Sequence, residues 1–501
     1  MKGKRFFPVI SIMLICFAIT VCDSPPDNTP VTLTLTYDEA VKKVIFTDDI
    51  TIVDFTNLNS HDIYLVMINR SDSVVPAAST GGVAKALPAI PSVENIGRPR
   101  SVADIVAHDV GDKKNFWVES NFGSDVWVNK QATLMASGVH GNIWVMNENI
   151  PSGTSNYIIS EAQAQELAGR FDLIYPLTTN LIGYEYGGDP NGDGGIDGDK
   201  KIQILIYDFY SPYYYSGGTI YAGAFSPKDF FTQDEIDSWG LKNKTNLAEI
   251  IYISARTIIT SPDYAYSLLI HEFQHMVNFN RKFVEHGEES DTWYNEMLSM
   301  MAEDVIAPLI GIGRTNPGHP ISRRIPKFLD SYNKYGLMEW ELADDSYAVL
   351  YAFGAYLVRN YGGPELLKKI LDNDKVNVDS LSLALNEFSE DMDFSQAITR
   401  YSEAMIFSGS SMPEGVVTFD KTVTSKVNGK DYTAYGFNIW QTFRRDTDDL
   451  GPLVSGLKPA SMKPYSVIIQ SDDQWRNKTG DFSIALEKPS NQDIELYLLA
   501  R

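Results

Sequence analysis

Residues 268–279 read LLIHEFQHMVNF, an apolar stretch that carries two histidines, a glutamate and a glutamine. The apolar residues, Leu269, Phe273 and Met276 among them, occupy nearly every face of a helix, so the pattern predicts a buried helix. Buried imidazole and carboxylate groups are costly to a fold unless they have partners. The stretch therefore indicates a buried functional site, and the alternative is a core helix with packed histidines.

The spacing of these polar residues favours a metal site. His271 and His275 are four residues apart, so on a helix they project from one face and can bind one ion through two ring nitrogens. Glu272 lies between them, which gives the sequence H-E-x-x-H, where the glutamate acts as general base toward a zinc-bound water. The pattern predicts His271 and His275 as zinc ligands and Glu272 as the catalytic residue.

The third ligand separates the classes of zinc site. Asn278 and Arg281 stand where the metzincin pattern requires a glycine and a histidine, which excludes that class. In gluzincins the third ligand is a glutamate about twenty residues downstream on a second helix, often in Asn-Glu-x-x-Ser. Glu296 follows His275 by 21 residues, in WYNEMLSMMAEDV. We expect Glu296 to be the third ligand, and Asp291 is the alternative, as in aspzincins, although the Gly-Thr-x-x-Asp setting is absent.

The second helix is predicted to begin near Ser290 or Asp291 and to end before Pro308. Glu303 shares a face of this helix with Glu296. We expect the Glu303 carboxylate to accept a hydrogen bond from one ligand histidine and so fix its tautomer. An ordinary surface charge is the alternative.

Stabilising a developing oxyanion requires a further hydrogen-bond donor. Tyr347 and Tyr351 lie one turn apart on a predicted helix, in DDSYAVLYAFGAYLVRNYGG. Tyr351 is the first candidate and Tyr347 the second, and His286 and His319 are weaker candidates.

These motifs resemble the hyicolysin-like family of secreted bacterial zinc metallopeptidases, in the gluzincin group of the zincin fold. The resemblance is carried by LLIHEFQHMVNFNRK and NEMLSMMAEDV, and extends to ATLMASGVHGNIWV, IDGDKKIQILIYDF, TIYAGAFSP and YAFGAYLVRNYG. It implies a zinc endopeptidase with His271, His275 and Glu296 as ligands and Glu272 as catalyst. Met300 departs from the thermolysin-type pattern, which has an acidic residue there. In zincins the edge strand before the active-site helix pairs with extended substrate, and GTIYAGAFSP is the candidate for it.

The loop DPNGDGGID, residues 189–197, is a candidate calcium site. Its oxygen-bearing side chains have the spacing of an EF-hand loop, with Gly194 at the sharp turn. Lys200 stands where a glutamate is expected, and a solvated turn is the alternative. The predicted ligands are Asp189, Asn191, Asp193 and Asp197, with Asp199 as a substitute.

The first 22 residues predict export. Lys2, Lys4 and Arg5 precede an apolar run that ends at Cys22, and a Pro-rich spacer, residues 23–30, follows. Cys22 resembles the lipidated cysteine of a bacterial lipobox, although Val21 departs from that pattern. We expect an exported lipoprotein held in the membrane by its anchor alone, or else a secreted protein. The net charge of −23 argues against nucleic acid as a partner.

Alternating apolar residues near both ends predict antiparallel β domains over 31–113, which includes a linker, and over 411–501. Between them, residues 114–410 predict the metallopeptidase domain, with a mixed sheet, the active-site helix and a helical lower subdomain. The fold class is α+β. The predicted function is hydrolysis of protein or peptide substrates, and the oligomeric state is open. The alternative is a surface lipoprotein that binds host or envelope components through its β domains, with an inert or structural metal site.

Overall fold

A computed structural model describes the following residues of the chain: 33–35, 41–46, 50–76, 108–120, 126–209, 222–338, 344–409, 415–454, 461–489 and 491–501. The predicted leader, its Cys22 and the spacer 23–30 lie outside these ranges. The chain divides into two compact units, one of Met1–Met67 with Ser471–Arg501 and the other of Ile68–Gln470.

Strands from both ends of the chain build the first unit. They are β1 (Leu33–Leu35), β2 (Val41–Lys43), β3 (Ile50–His61), most of β4 (Ile63–Asn69), β16 (Lys478–Glu487) and β17 (Ile494–Ala500). β3 lies between β1 and β16 in one sheet, and it is parallel to β1 and antiparallel to β16. In another sheet β17 lies between β4 and β2. Inward residues such as Val53, Phe55 and Ile484 are buried, as the alternation of the sequence predicts.

A six-stranded mixed sheet forms the upper part of the second unit. Its strands are β6 (Lys113–Glu119), β7 (Trp127–Ser137), β8 (Gly141–Met146), β9 (Ile202–Tyr207), β10 (Gly223–Phe225) and β11 (Ile250–Ser254). The order is β10-β11-β9-β8-β7-β6. The central strands β8, β9 and β11 are parallel, and they are fully buried runs of mostly apolar residues, as expected for strands covered on both faces. β10 is antiparallel to β11 and is the edge of the described sheet.

Ten helices lie in the described part of this unit. They are α1 (Glu161–Ile182), α2 (Gln233–Ser238), α3 (Ala255–Thr260), α4 (Pro262–Asn278), α5 (Thr292–Ile306), α6 (Pro320–Ser331), α7 (Asp344–Asn360), α8 (Glu365–Asp372), α9 (Asn377–Phe388) and α10 (Phe394–Phe407). Ser160 begins α1 with a capping box to Gln163. α1 packs on β7 and β8, and α4 packs on β10 and β11. The sheet thus supports α4, which carries the motif.

Shorter elements complete the second unit. Its remaining strands are β5 (Val75–Pro76), β12 (Val423–Val427), β13 (Lys430–Ala434), β14 (Ser461–Met462) and β15 (Val467–Gln470). The hairpin of β12 and β13 turns at Asn428 and Gly429, which both have positive φ, as a tight two-residue hairpin requires. A π-helical segment, Phe279–Val284, extends α4, and 3-10 turns cover Pro227–Phe230 and Ala307–Ile310; another, Asp473–Trp475, lies in the first unit.

The α+β class predicted from the sequence is confirmed, with β regions flanking a mixed sheet and a helical part. The two end regions, predicted as separate β domains, contribute β3 and β16 to one sheet, and strands β12 to β15 group with the central unit. The boundaries at 113 and 410 stay predictions. Within the described ranges, no helix has the length and apolar character needed to cross a membrane.

Candidate functional site

Two helices that pack against each other position the predicted ligands. α4 begins at Pro262, a residue suited to the first turn of a helix, and places His271 and His275 on one face. α5 begins after Asp291 and ends at Ile306, before Pro308, and it packs against α4. These bounds agree with those expected for the second helix.

The three predicted zinc ligands converge. One ligand atom from each of His271, His275 and Glu296 lies within 4.8 Å of the other two. The Glu296 Oε2 atom is 3.0 Å from Nε2 of His271 and 3.7 Å from Nε2 of His275. Two ring nitrogens and a carboxylate oxygen are a donor set that zinc prefers, and three protein ligands leave a position open for catalysis. The residues therefore fit a catalytic zinc ion.

The site is nearly closed to solvent. The side chains of His271, His275 and Glu296 are 8%, 12% and 13% exposed. In the metal-free protein, burial works against protonation of His271, but hydrogen bonds to Glu296 and Glu303 outweigh it and raise the pKa of the imidazole. Burial lowers the pKa of His275 to about 4, so this ring is neutral, as a ligand must be.

Glu272 lies beneath the edge of the sheet. Its side chain is buried, and burial raises the pKa of its carboxyl to about 8, with the charges of Glu296 and Glu303 acting in the same direction. A backbone hydrogen bond from Phe225 of β10 opposes this shift. A dication at the three ligand atoms would also lower this pKa and favour the carboxylate form.

Glu303 contacts His271 at Nδ1, the ring nitrogen that does not face Glu296. Its Oε1 atom lies 2.9 Å from Nδ1 of His271, and its side chain is 2% exposed. Ser267 and Arg323 both donate hydrogen bonds to the other oxygen, Oε2, over 2.6 and 2.7 Å. Glu303 is thus a buried carboxylate in contact with a ligand histidine and not a surface charge. No local signal in the sequence points to Ser267 or Arg323.

Ser299 packs against the second histidine. Its hydroxyl lies 3.0 Å from Nδ1 and 3.5 Å from Nε2 of His275, and it donates a hydrogen bond to the Gln274 amide oxygen. Ser299, the serine of Asn-Glu-x-x-Ser, thus joins α5 to Gln274 and His275 of α4. Asp291, the alternative third ligand, is exposed and accepts a hydrogen bond from the Trp293 indole, outside the converging set.

The two candidate tyrosines have different surroundings. Tyr347 is half-buried; its pKa is raised by burial and by the charges of Glu296 and Glu272, and the Arg324 guanidinium lies 4.7 Å over its ring. Tyr351 is fully buried, and its pKa is raised by burial, by Asp304 and, to a smaller extent, by the charge of Glu303. The four-residue spacing places both on one side of α7, but the charges of Glu296 and Glu272 influence the pKa of Tyr347 and are not among the causes of the Tyr351 shift.

The two weaker histidine candidates lie elsewhere. His319 is buried at the beginning of α6, where its Nδ1 atom accepts a hydrogen bond from the Ile321 N–H, and its Nε2 atom is 3.9 Å from Asp304. His286 is exposed, just beyond the π-helical segment. Neither is part of the converging set.

The predicted calcium loop lies between α1 and β9, and its carboxylates turn back on their own backbone. Oxygens of Asp189, Asp193, Asp197 and Asp199 each accept a hydrogen bond from the N–H two residues further on. Such Asx turns are typical of Asp/Gly-rich loops. Within the described ranges, one group of three or more His, Cys, Asp or Glu side chains converges closely enough to hold a metal ion, and it consists of His271, His275 and Glu296.

Two buried glutamates flank this loop and were not predicted. Glu185 accepts a hydrogen bond from the Tyr175 hydroxyl, and Glu249 accepts one from the Ile196 N–H, while the second oxygen of each is buried without a hydrogen-bond partner in the described structure. Burial raises the pKa of Glu185 to about 7 and that of Glu249 well above its usual range. Burial likewise raises the pKa of Asp197 to about 6.

A mixed α+β fold with two histidines and a glutamate converging beside a buried glutamate is the arrangement typical of the metallopeptidase class. The model of the peptidase M30 family matches residues 124–425, a range that contains α4, α5 and the whole six-stranded sheet except β6. The chain belongs to the peptidase M30 family. This confirms the resemblance inferred from the sequence.

A related protein is the neutral metalloprotease ShpI of Staphylococcus hyicus. The two sequences are 26% identical over 272 residues, which is 51% of this chain and 54% of the relative. The chain thus spans about half the length of this relative.

Proposed function

We propose that the chain is a zinc-dependent endopeptidase of the gluzincin type, with His271, His275 and Glu296 as the zinc ligands and Glu272 as the general base. The observation that carries the proposal is the convergence of one atom from each ligand residue within 4.8 Å. Family membership supports the peptidase activity, and the donor set supports zinc.

Zinc, when bound, would act as a Lewis acid and would lower the pKa of a coordinated water toward about 7. Glu272 then takes a proton from the attacking water and passes it to the leaving amine as the peptide bond breaks. Its burial beside the ligand residues suits this role, because a carboxyl whose pKa lies near neutrality can both accept and return a proton.

Substrate binds, in this proposal, along β10. The strand is the edge of the described sheet and is antiparallel to β11, so its outer side is suited to accept an extended peptide. The backbone of Phe225 in the same strand lowers the pKa of Glu272, so the proposed binding edge lies close to the proposed catalytic carboxylate.

Tyr347 is the proposed donor to the developing oxyanion. Its half-buried position and the influence of Glu296 and Glu272 on its pKa favour it over Tyr351, which is enclosed beside Asp304. Tyr351 then has a structural role.

Three further predictions remain without a test in the described residues. Export as a lipoprotein through Cys22 rests on residues 1–22. Calcium binding by the 189–199 loop rests on the spacing of its oxygens. Calorimetric titration of the metal-stripped protein with calcium would test it, and absence of both heat and a calcium-dependent shift in melting temperature would exclude it. The surface-binding alternative has no specific structural support, and family membership favours the peptidase.

The experiment that tests the proposed function is the isosteric substitution Glu272→Gln. We expect the variant to bind one zinc ion per chain as the wild type does and to lose hydrolysis of denatured casein by at least a thousandfold, since the proton acceptor is gone. Hydrolysis at the wild-type rate by Glu272→Gln would exclude Glu272 as the base. A zinc-loaded wild type that cleaves no member of a peptide library would exclude the activity.

A further inference from the structure

Three helices meet at the Glu303 carboxylate. α5 contributes Glu303, and α4 contributes Tyr264, Ser267 and His271, which share one face because they follow at intervals of three and four residues. α6 contributes Arg323. The junction lies directly behind the first zinc ligand.

Arg323 is held in place by three contacts of different kinds. Its Nη2 donates a hydrogen bond of 2.7 Å to Glu303 Oε2, and its Nη1 donates one of 3.2 Å to the Gly318 carbonyl. Its guanidinium also lies 4.2 Å over the ring of Tyr264, within the range of a cation–π interaction. The planar guanidinium makes all three contacts at once, which an ammonium group is not shaped to do.

The donors are divided between the two carboxylate oxygens. Arg323 and Ser267 both donate to Oε2, whereas the hydrogen-bond partner of Oε1 in the described part of the chain is the His271 ring. Fixing Oε2 with two donors from two helices fixes the rotation of the carboxylate, and this aims Oε1 at Nδ1 of His271. A carboxylate aimed in this way holds the ring so that Nε2 faces the metal position.

We propose that Arg323 is a positioning residue of the zinc site, which acts through Glu303 to orient His271. The proposal rests on the proposed zinc-binding function. Among the described residues, the hydrogen bonds, ion pair and ring contact of Arg323 go to Gly318, Glu303 and Tyr264 and none goes to a ligand residue. Its side chain is 17% exposed while that of Glu303 is 2% exposed, so it also separates the carboxylate from solvent.

A charge effect must be separated from a positioning effect. Removing the guanidinium would remove a positive charge near the zinc ion and so favour zinc, which opposes the loss of positioning. Arg323→Lys keeps the positive charge but loses the planar guanidinium, with its several donors at fixed positions, and the stacking on Tyr264. It is therefore the diagnostic substitution.

Arg170 supplies a matched control. It has the same three kinds of contact away from the site: a guanidinium 5.0 Å over the ring of Tyr266, an ion pair with Glu166 and a hydrogen bond to the Ile310 carbonyl. Arg170→Lys should leave zinc binding unchanged.

The experiment measures the dissociation constant for zinc by competition with a chromophoric chelator, on full-length wild type, Arg323→Lys, Arg170→Lys, Glu303→Gln and the double variant Arg323→Lys/Glu303→Gln. We expect Arg323→Lys to weaken zinc binding roughly tenfold or more, within the range found for residues that orient metal ligands. In the Glu303→Gln background the same change should have little further effect, since the carboxylate through which Arg323 acts has been replaced. Circular dichroism checks that every variant is folded.

Equal zinc affinity of Arg323→Lys and wild type would overturn the proposal, and so would an undiminished effect of Arg323→Lys in the Glu303→Gln background. A wild type that binds no zinc would instead contradict the proposed function. Exchange of the His271 Nδ1 proton with solvent gives a second readout, which should be faster in zinc-loaded Arg323→Lys than in zinc-loaded wild type.

Discussion

At the scale of single residues, the site depends on which polar groups face the metal position and which face the protein interior. His271, His275 and Glu296 direct one atom each to a common point. Glu303 and Ser299 contact the histidines from α5. All of these residues lie in two short segments of sequence, so their types and spacing are sufficient to predict the ligands.

The proposed donor to the developing oxyanion differs from the residue that we expected from the sequence. Both tyrosines lie on one side of α7, and the sequence alone placed Tyr351 first. The choice depends on how α7 packs against α5 and α6, which no local pattern encodes. Tyr347 is the donor that we propose.

Tyr347→Phe should lower kcat for peptide hydrolysis roughly a hundredfold, because one hydrogen bond to the developing oxyanion is lost. Zinc content should be unchanged. Tyr351→Phe is the matched control, and we expect it to change kcat less than fivefold, an order-of-magnitude limit for a residue outside the reaction. Steady-state kinetics on one peptide substrate would compare them, and the reverse ranking would restore Tyr351 as the donor.

At the scale of elements, both ligand helices were predictable from their sequence motifs. The bounds were predictable for the second helix, which has a capping residue before it and Pro308 after it. Arg323 on α6 and Ser267 on α4 were not predictable as site residues, because their relation to Glu303 arises only when three helices pack together. The relation between β10 and Glu272 is likewise a tertiary contact.

Gly223 of β10 has a steric reason to be glycine. A Cβ atom there would lie 2.8 Å from Leu268 and 3.0 Å from Oε1 of Glu272. Gly223→Ala should therefore displace the Glu272 carboxylate and lower kcat roughly 10- to 100-fold, with zinc affinity unchanged.

The neighbouring change Ala224→Ser is the control for Gly223→Ala, because successive residues of a strand point to opposite faces of the sheet. It should leave kcat close to that of the wild type. Wild-type kcat for Gly223→Ala would show that the edge strand does not fix the position of Glu272.

At the scale of the whole molecule, the alternation of apolar residues predicts the terminal strands but not their partners. β3 and β16 pair although more than 400 residues separate them in sequence. Pairing at that distance depends on where the intervening unit returns the chain, so strand composition cannot specify it. The buried glutamates at the loop after α1 are also a product of tertiary packing.

Glu185 should make the protein less stable as the pH rises. Its pKa is about 7 in the folded protein, compared with an ordinary value of 4.5, so the folded state binds the extra proton between these values. Its contribution to stability is complete below about pH 4.5 and is lost as the pH rises through about 7. Glu185→Gln should remove this dependence. Its free energy of unfolding, measured relative to that of the wild type, should therefore increase by on the order of 2 kcal/mol as the pH rises from 5 to 7.5.

Urea unfolding of both proteins at several pH values, with chelator present, would measure the difference. The same substitution at exposed Glu161 serves as the control. If the free energies of unfolding of wild type and Glu185→Gln changed in parallel with pH, the buried carboxyl would already be ionised in the folded protein.

X-ray absorption at the zinc edge, on protein loaded with one equivalent of zinc, tests the central claim most directly. The predicted spectrum contains two imidazole nitrogens at about 2.0–2.1 Å together with oxygen ligands. Glu296→Gln should weaken zinc binding and alter the oxygen shell, whereas Asp291→Asn should leave both unchanged. Failure to bind zinc, a spectrum without histidine scattering, or sensitivity to Asp291→Asn in place of Glu296→Gln would contradict a zinc site made by His271, His275 and Glu296.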